Sequence, residues 1–213
     1  MFTLFSAKCT GVPSNCLYPE RIEVVDAETL RKAISHDYVC AEYKDSYRSI
    51  NNFMGSDCLA FDCDNDHSEE EGKWVDADDV KAAFPDVAFA VHYSRSNMRE
   101  KGGKKARPKF HVLFPIREVR SKEEYVELKR KVSELFPYFD KNAMDAARFF
   151  FGTSEAKAEI VDGRENLTDF IEEYEFDAHF DKGPIREGSR NSTMSRFAGR
   201  VLQDAESGEV MLY

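Results

Sequence analysis

No run of apolar residues in this sequence approaches the ~18 needed to span a bilayer as a helix. The opening Met1-Phe2-Thr3-Leu4-Phe5 is too short for the core of a secretion signal and has no basic flank before it. Both absences point to a cytoplasmic protein with no membrane partner. The five cysteines (Cys9, Cys16, Cys40, Cys58 and Cys63) are odd in number and include no Cys-x-x-Cys. Cys40, Cys58 and Cys63 lie in strand-like apolar runs and read as buried thiols. Cys9 and Cys16 have six residues between them, an uncommon interval for zinc ligands, so zinc is not expected. No internal repeat occurs. Basic residues are outnumbered, 30 Lys and Arg against 40 Asp and Glu, for a net charge of −10, which argues against a general nucleic-acid coat protein.

The charge is unevenly spread. Between Asp64 and Glu71 stand five acids and no Lys or Arg; between Arg95 and Lys109 stand seven basic residues and one acid, Glu100. An acidic site beside a basic loop suits a metal-bound polyphosphate. The acidic stretch begins at Leu59-Ala60-Phe61-Asp62-Cys63-Asp64, where an apolar strand ends in alternating carboxylates. In a strand, Asp62 and Asp64 share a face roughly 6–7 Å apart, and Leu59, Phe61 and Cys63 face the other way into a core. Two carboxylates ~6 Å apart repel by about 3 kcal/mol at an effective dielectric near 20. A divalent cation or water between them relieves this, and Mg²⁺ binds through one or two carboxylates plus substrate phosphates.

Elements alternate irregularly along the chain. Strands are expected at Phe2 to Lys8, Arg21 to Val25, Tyr38 to Tyr43, Cys58 to Asp64, Val87 to Tyr93, Phe110 to Ile116 and Ala147 to Phe151. Asp26 caps a helix over Ala27 to Ser35. A second helix starts at Asp76 or Asp78 and is stopped by Pro85. Ser121 with Glu124 forms a capping-box pattern before a helix whose apolar stripe is Tyr125, Leu128, Val132, Leu135 and Phe136. Leu167 to Tyr174 reads as a short amphipathic helix. Several strands are too close in sequence for parallel crossovers, so the expected class is α+β, with a mixed or antiparallel sheet and helices mainly on one face. After Phe176 the composition changes: Asp181-Lys182-Gly183-Pro184 reads as a linker, and Arg186 to Gln203 as the start of a separate helical element. The chain thus divides at 1–176 and 177–213.

Three further segments carry chemistry. His111 follows the basic loop on a strand whose Phe110, Val112 and Phe114 face a core; its ring can hydrogen-bond a phosphate oxygen or a sugar hydroxyl. Asp140, before an apolar strand bearing Arg148, is a candidate third carboxylate, and Arg148 a clamp on a phosphate or on the carboxylates. Asp145 is either an alternative third ligand or the partner of Arg148 in a turn. Arg95, Lys104, Lys105 and Arg107 lie on a loop containing Gly102 and Gly103.

The order Phe61-Asp62-Cys63-Asp64, then Lys109-Phe110-His111, then Phe139-Asp140 before Arg148 resembles the archaeo-eukaryotic primase superfamily. The likeness is to the primase-polymerases of phages, plasmids and other mobile elements, and it covers roughly residues 38 to 155. Ile185 to Met194 is similar to the opening of the helical primase C-terminal domain. One departure is Lys109, where the family usually has serine.

The resemblance implies an RNA-recognition-like catalytic core with an N-terminal αβ unit, residues 1–176 forming the catalytic domain. It implies a nucleotidyltransferase, a DNA primase or polymerase, acting on a single-stranded DNA template, a primer and NTP or dNTP. Two Mg²⁺ or Mn²⁺ ions would be held by Asp62, Asp64 and Asp140, with Asp145 as the alternative third ligand. His111 would serve in catalysis and nucleotide binding, and Lys109, Arg148 and Arg107 in nucleotide binding. A helicase or helical C-terminal domain is the expected partner. The alternatives are a metal-dependent nuclease, a replication-initiator endonuclease (which usually needs paired histidines on one strand and a tyrosine nucleophile), or an inactive nucleic-acid-binding module.

Overall fold

A computed structural model describes residues 1–180 except residue 101 and residues 141–143 and 154–156; for residues 175–180 it describes the backbone alone. The linker expected at Asp181 to Pro184 and the helical element expected at Arg186 to Gln203 lie outside the described residues. Residues Met1–Phe170 form one compact unit and Ile171–Tyr213 another. The fold is α+β, and every strand pairing within its two sheets is antiparallel.

The first sheet has the order β2-β1-β3-β8, from β1 (Phe2–Ser6), β2 (Glu20–Val24), β3 (Tyr38–Val39) and β8 (Phe149–Phe150). Helix α1 (Ala27–Ile34) packs on it. Asp26 accepts a hydrogen bond from the Thr29 N–H, and the Thr29 side chain answers the cap backbone, closing a capping box. The second sheet, β4-β5-β7-β6-β9, is built from β4 (Glu42–Tyr43), β5 (Phe53–Cys63), β6 (Phe89–Tyr93), β7 (Phe110–Val119) and β9 (Ala158–Val161). Helices α2 (Ala77–Ala83) and α3 (Lys122–Leu135) follow β5 and β7; α4 (Leu167–Phe180) is the last described element.

Period-2 alternation gives the central sheet two different faces. On one, Phe61 and Phe114 meet Phe84, Phe136 and Phe139 from the ends of α2 and α3; the Phe61 and Phe139 rings stack with centroids 4.7 Å apart. On the other, Ala60, Leu113 and Ala90 are cross-strand neighbours. Their small side chains join one core with Leu4, Leu30, Ile34, Tyr38 and Phe150 from the first sheet and its helix. The functional residues below sit on this second face, where the two sheets meet.

Three expectations are corrected. Tyr38 to Tyr43 is not one strand: the chain bends at Cys40-Ala41, so β3 joins the first sheet and β4 the second. The buried stripe of α3 is Tyr125, Lys129, Val132 and Ser133, with Leu128 and Leu135 only half-buried. Lys129 is buried with its ammonium over the rings of Phe61 and Tyr125. Strand β9 has no counterpart in the expected elements; it adds an edge to β6.

Candidate active site

A cavity of about 280 Å³ opens at the end of β5 and the start of β7, lined by Asp62, Asp64, Lys109, His111, Asp140 and Arg148, together with Ser94, Arg95, Ser96 and Phe149 to Phe151. The aromatic residues beside each polar group explain the convergence. Phe61 anchors the strand so that its neighbour Asp62 faces away from the α2–α3 aromatic cluster. Phe139 stacks on Phe61, and the Asp140 N–H donates to the Asp62 carbonyl (2.8 Å), which fixes the chain after α3 against the end of β5. Register places His111 directly opposite Asp62. The segment before Arg148 is held by the Tyr43 hydroxyl on the Ala146 carbonyl (2.6 Å) and by Arg48 on the Ala147 carbonyl (3.0 Å).

Asp62 is 7 % exposed and uses both carboxylate oxygens: Oδ1 lies 2.8 Å from His111 Nε2, and Oδ2 accepts from Arg148 at 3.0 Å. Burial alone would raise its pKa, yet the His111 ring and the Arg148 guanidinium hold it well below the usual carboxylate range. Asp64 lies just past the strand and is half exposed, 3.5 Å from Lys109 Nζ. Asn65 follows in the left-handed region (φ 54°), a conformation that asparagine tolerates. Its amide bonds the carbonyls of Val75 and Pro108, so the acidic loop turns sharply and Asp66, outside the cavity lining, meets Lys104 at 2.9 Å and Lys109 Nζ at 3.5 Å.

The structure therefore brings together six of the eight residues named from the sequence. Asp145 does not line the cavity; its Oδ1 accepts the N–H of Ala147 (2.8 Å), a turn contact. Arg107 also lies elsewhere. It is fully buried, and its guanidinium donates to the carbonyls of Asn65 (3.0 Å) and Ser68 (3.2 Å), pairs with Glu69 (2.7 Å) and stacks over Trp74. Arg107 ties the basic loop to the acidic one rather than reaching a nucleotide. Lys104 and Lys105 are likewise paired, with Asp66 and Glu71, so of the loop cations named, Arg95 is the one at the cavity, stacked on Phe151 at 4.8 Å.

One residue escaped the sequence reading. His92 of β6 stands opposite His111, fully buried, with its Nε2 2.8 Å from His111 Nδ1 and 2.5 Å from the Tyr38 hydroxyl. The signal was a lone histidine inside Val-Ala-Phe-Ala-Val-His-Tyr, an apolar strand with no other polar side chain to explain it.

For a divalent cation the donor chemistry fits. Asp62, Asp64 and Asp140 present only carboxylate oxygens, the ligands of hard ions such as Mg²⁺ and Mn²⁺. Among the described residues, no three His, Cys, Asp or Glu side chains are gathered to coordinating distance. Lys109 pairs with Asp64 and Arg148 with Asp62, which also bonds His111, so binding through these carboxylates together with ligand phosphates is the mode that matches this arrangement.

No protein-family model matches the sequence, and no curated protein matches it. Among solved structures, the chain is similar to the AEP domain of the cyanophage S-2L primase-polymerase (PrimPol). The TM-score is 0.41 at 14 % identity, over 76 % of this chain and 81 % of that one. Among the described residues, no helix is long and apolar enough to cross a membrane.

Proposed function

We propose that the chain is a nucleotidyltransferase that joins NTP or dNTP to a primer on a single-stranded DNA template, a primase or polymerase dependent on Mg²⁺ or Mn²⁺. The observation that carries this is the meeting of three carboxylates from two separate segments with four basic side chains in one cavity. The motif order resembling the archaeo-eukaryotic primases supports the same reading. Asp62, Asp64 and Asp140 would hold the metal. When bound, paired divalent ions neutralise phosphate charge and align the attacking and leaving oxygens. Lys109 and Arg148, now on Asp64 and Asp62, would pass to the triphosphate once those carboxylates are otherwise neutralised; Arg148 suits this through its forked donors. Arg95 stands at the cavity as a further phosphate contact. A helicase or a helical C-terminal domain remains the proposed partner, and 177–213 the proposed linker and start of that domain.

The initiator alternative finds less support. The second histidine, His92, is buried behind His111, and Tyr38 is buried behind His92, so neither reaches the cavity as a ligand or nucleophile. The test is incorporation of labelled nucleotide onto a primed single-stranded DNA with Mn²⁺ or Mg²⁺. The wild-type chain should extend the primer, and Asp62→Asn and Asp140→Asn should each reduce the rate by about 10²-fold or more, as loss of transition-state charge stabilisation does. Cleavage of the DNA without extension would favour the nuclease. Unchanged activity in Asp62→Asn would favour a binding module.

A further inference from the structure

The ladder Asp62, His111, His92 crosses three strands at one level, β5 to β7 to β6, and continues into the first sheet at Tyr38. All three links are hydrogen-bond distances: 2.8 Å, 2.8 Å and 2.5 Å. His92 and Tyr38 are both completely buried, and the chain of contacts ends in the core. A proton entering it has no exit to solvent, so the row is no conduit. What it can do is fix geometry.

Donor and acceptor roles follow from the outer end. A carboxylate only accepts, so the 2.8 Å contact with Asp62 places the His111 ring proton on Nε2. His111 Nδ1 is then the acceptor, and the donor it faces at 2.8 Å is the Nε2–H of His92. The same N–H lies 2.5 Å from the Tyr38 hydroxyl oxygen, so it is shared between the two, and His111 Nε2–H stays directed at Asp62 and the cavity. Phe150 braces both ends: it stacks on Tyr38 with centroids 5.3 Å apart and meets the His111 ring edge-on at 5.2 Å.

We propose that His92 and Tyr38 are positioning residues that hold the His111 ring in one tautomer and one orientation, Nε2 toward the cavity, for contact with the phosphates of the incoming nucleotide. This rests on the nucleotidyltransferase reading for its substrate, and on geometry alone for the positioning.

The experiment uses the full chain and the variants His92→Phe, His92→Gln and Tyr38→Phe, with two readouts. The first is the ring ¹⁵N spectrum of the histidines. Wild type should show His111 and His92 each in a single tautomer, and His92→Phe should give averaged ring nitrogens at His111. The second is primer extension. His92→Phe should lower kcat by about 10–100-fold, the usual effect of removing the partner that orients an active-site histidine, while KM for the nucleotide stays within about twofold, as expected for an effect on the reaction step. His92→Gln, whose amide reaches the Nε2 position, should recover most of kcat. If His92→Phe fails to fold, Tyr38→Phe decides, since it removes one oxygen and keeps the ring against Phe150; a shift of the His92 Nε2 resonance is expected there, its N–H then going to His111 alone. Unchanged His111 nitrogens in His92→Phe, unchanged His92 nitrogens in Tyr38→Phe, or a wild-type kcat in His92→Phe would overturn the proposal. A wild-type chain that incorporates no nucleotide would defeat the polymerase reading, with the ¹⁵N spectra still deciding the positioning.

Discussion

Asp62 is a buried carboxylate held by the His111 ring and the Arg148 guanidinium, and this has a consequence for stability. Its folded pKa lies below the unfolded value of ~3.9. A depressed acid contributes stability that is present above the unfolded pKa and lost as pH falls through the folded one. Below about pH 4, the wild type should therefore lose up to ~1.4 kcal/mol per pH unit more than Asp62→Asn, which has no such proton to take up. Urea unfolding at pH 7, 4 and 3 checks this; parallel slopes would show that Asp62 is not held by charge. The pair Asp62–Asp64 and the histidine His111 were legible because charged and polar residues interrupt apolar strands at a spacing that strand geometry interprets. His92 was not, because its meaning lies in register: only the pairing of β6 with β7 sets it against His111. Arg107 was read by its charge, and charge does not distinguish a phosphate ligand from a buried clamp.

At the scale of elements, the two loops around the site act as one. Arg107 closes the acidic loop after β5 onto the loop before β7 through three hydrogen bonds, to Asn65, Ser68 and Glu69, and the Trp74 ring. Arg107→Ala should cost about 2–4 kcal/mol in urea unfolding, because it strands buried carbonyls and removes charge-assisted bonds. Arg107→Lys should recover little, since an ammonium cannot reproduce the fork. A second tie lies at the first sheet. Buried Asp37 accepts the N–H groups of Gly11, Val12 and Gly152, and a Cβ at Gly152 would lie 2.1 Å from the His36 carbonyl oxygen. Gly152→Ala should lower stability by about 1–3 kcal/mol or more, read as a fall in melting temperature. The helix caps at Asp26 and Ser121 were legible, and that of the second helix was narrowed to Asp76 or Asp78, since capping is written locally. The split of Tyr38 to Tyr43 between two sheets and the short edge strand β9 were not, because two to four residues carry too little periodicity to show which sheet claims them.

For the molecule as a whole, the α+β class with antiparallel pairing followed from strands too close in sequence for crossovers. The division into two sheets did not, because it depends on which small side chains let the sheets approach. Ala60 and Ala90 meet Tyr38 and Phe150 in one core, so the two sheets of Met1–Phe170 should melt in a single transition that fluorescence and far-UV dichroism trace alike. Two separate transitions would mean that the sheets are independent. The account as a whole depends on the carboxylates of two segments acting together on a metal-bound triphosphate. Calorimetric titration of the chain with dNTP in the presence of Mn²⁺ tests that most directly. Wild type and Glu127→Gln, which loses a charge on the exposed face of α3, should bind alike, and Asp64→Asn and Asp140→Asn should each lose most of the heat. Equal binding by all four proteins would contradict the account.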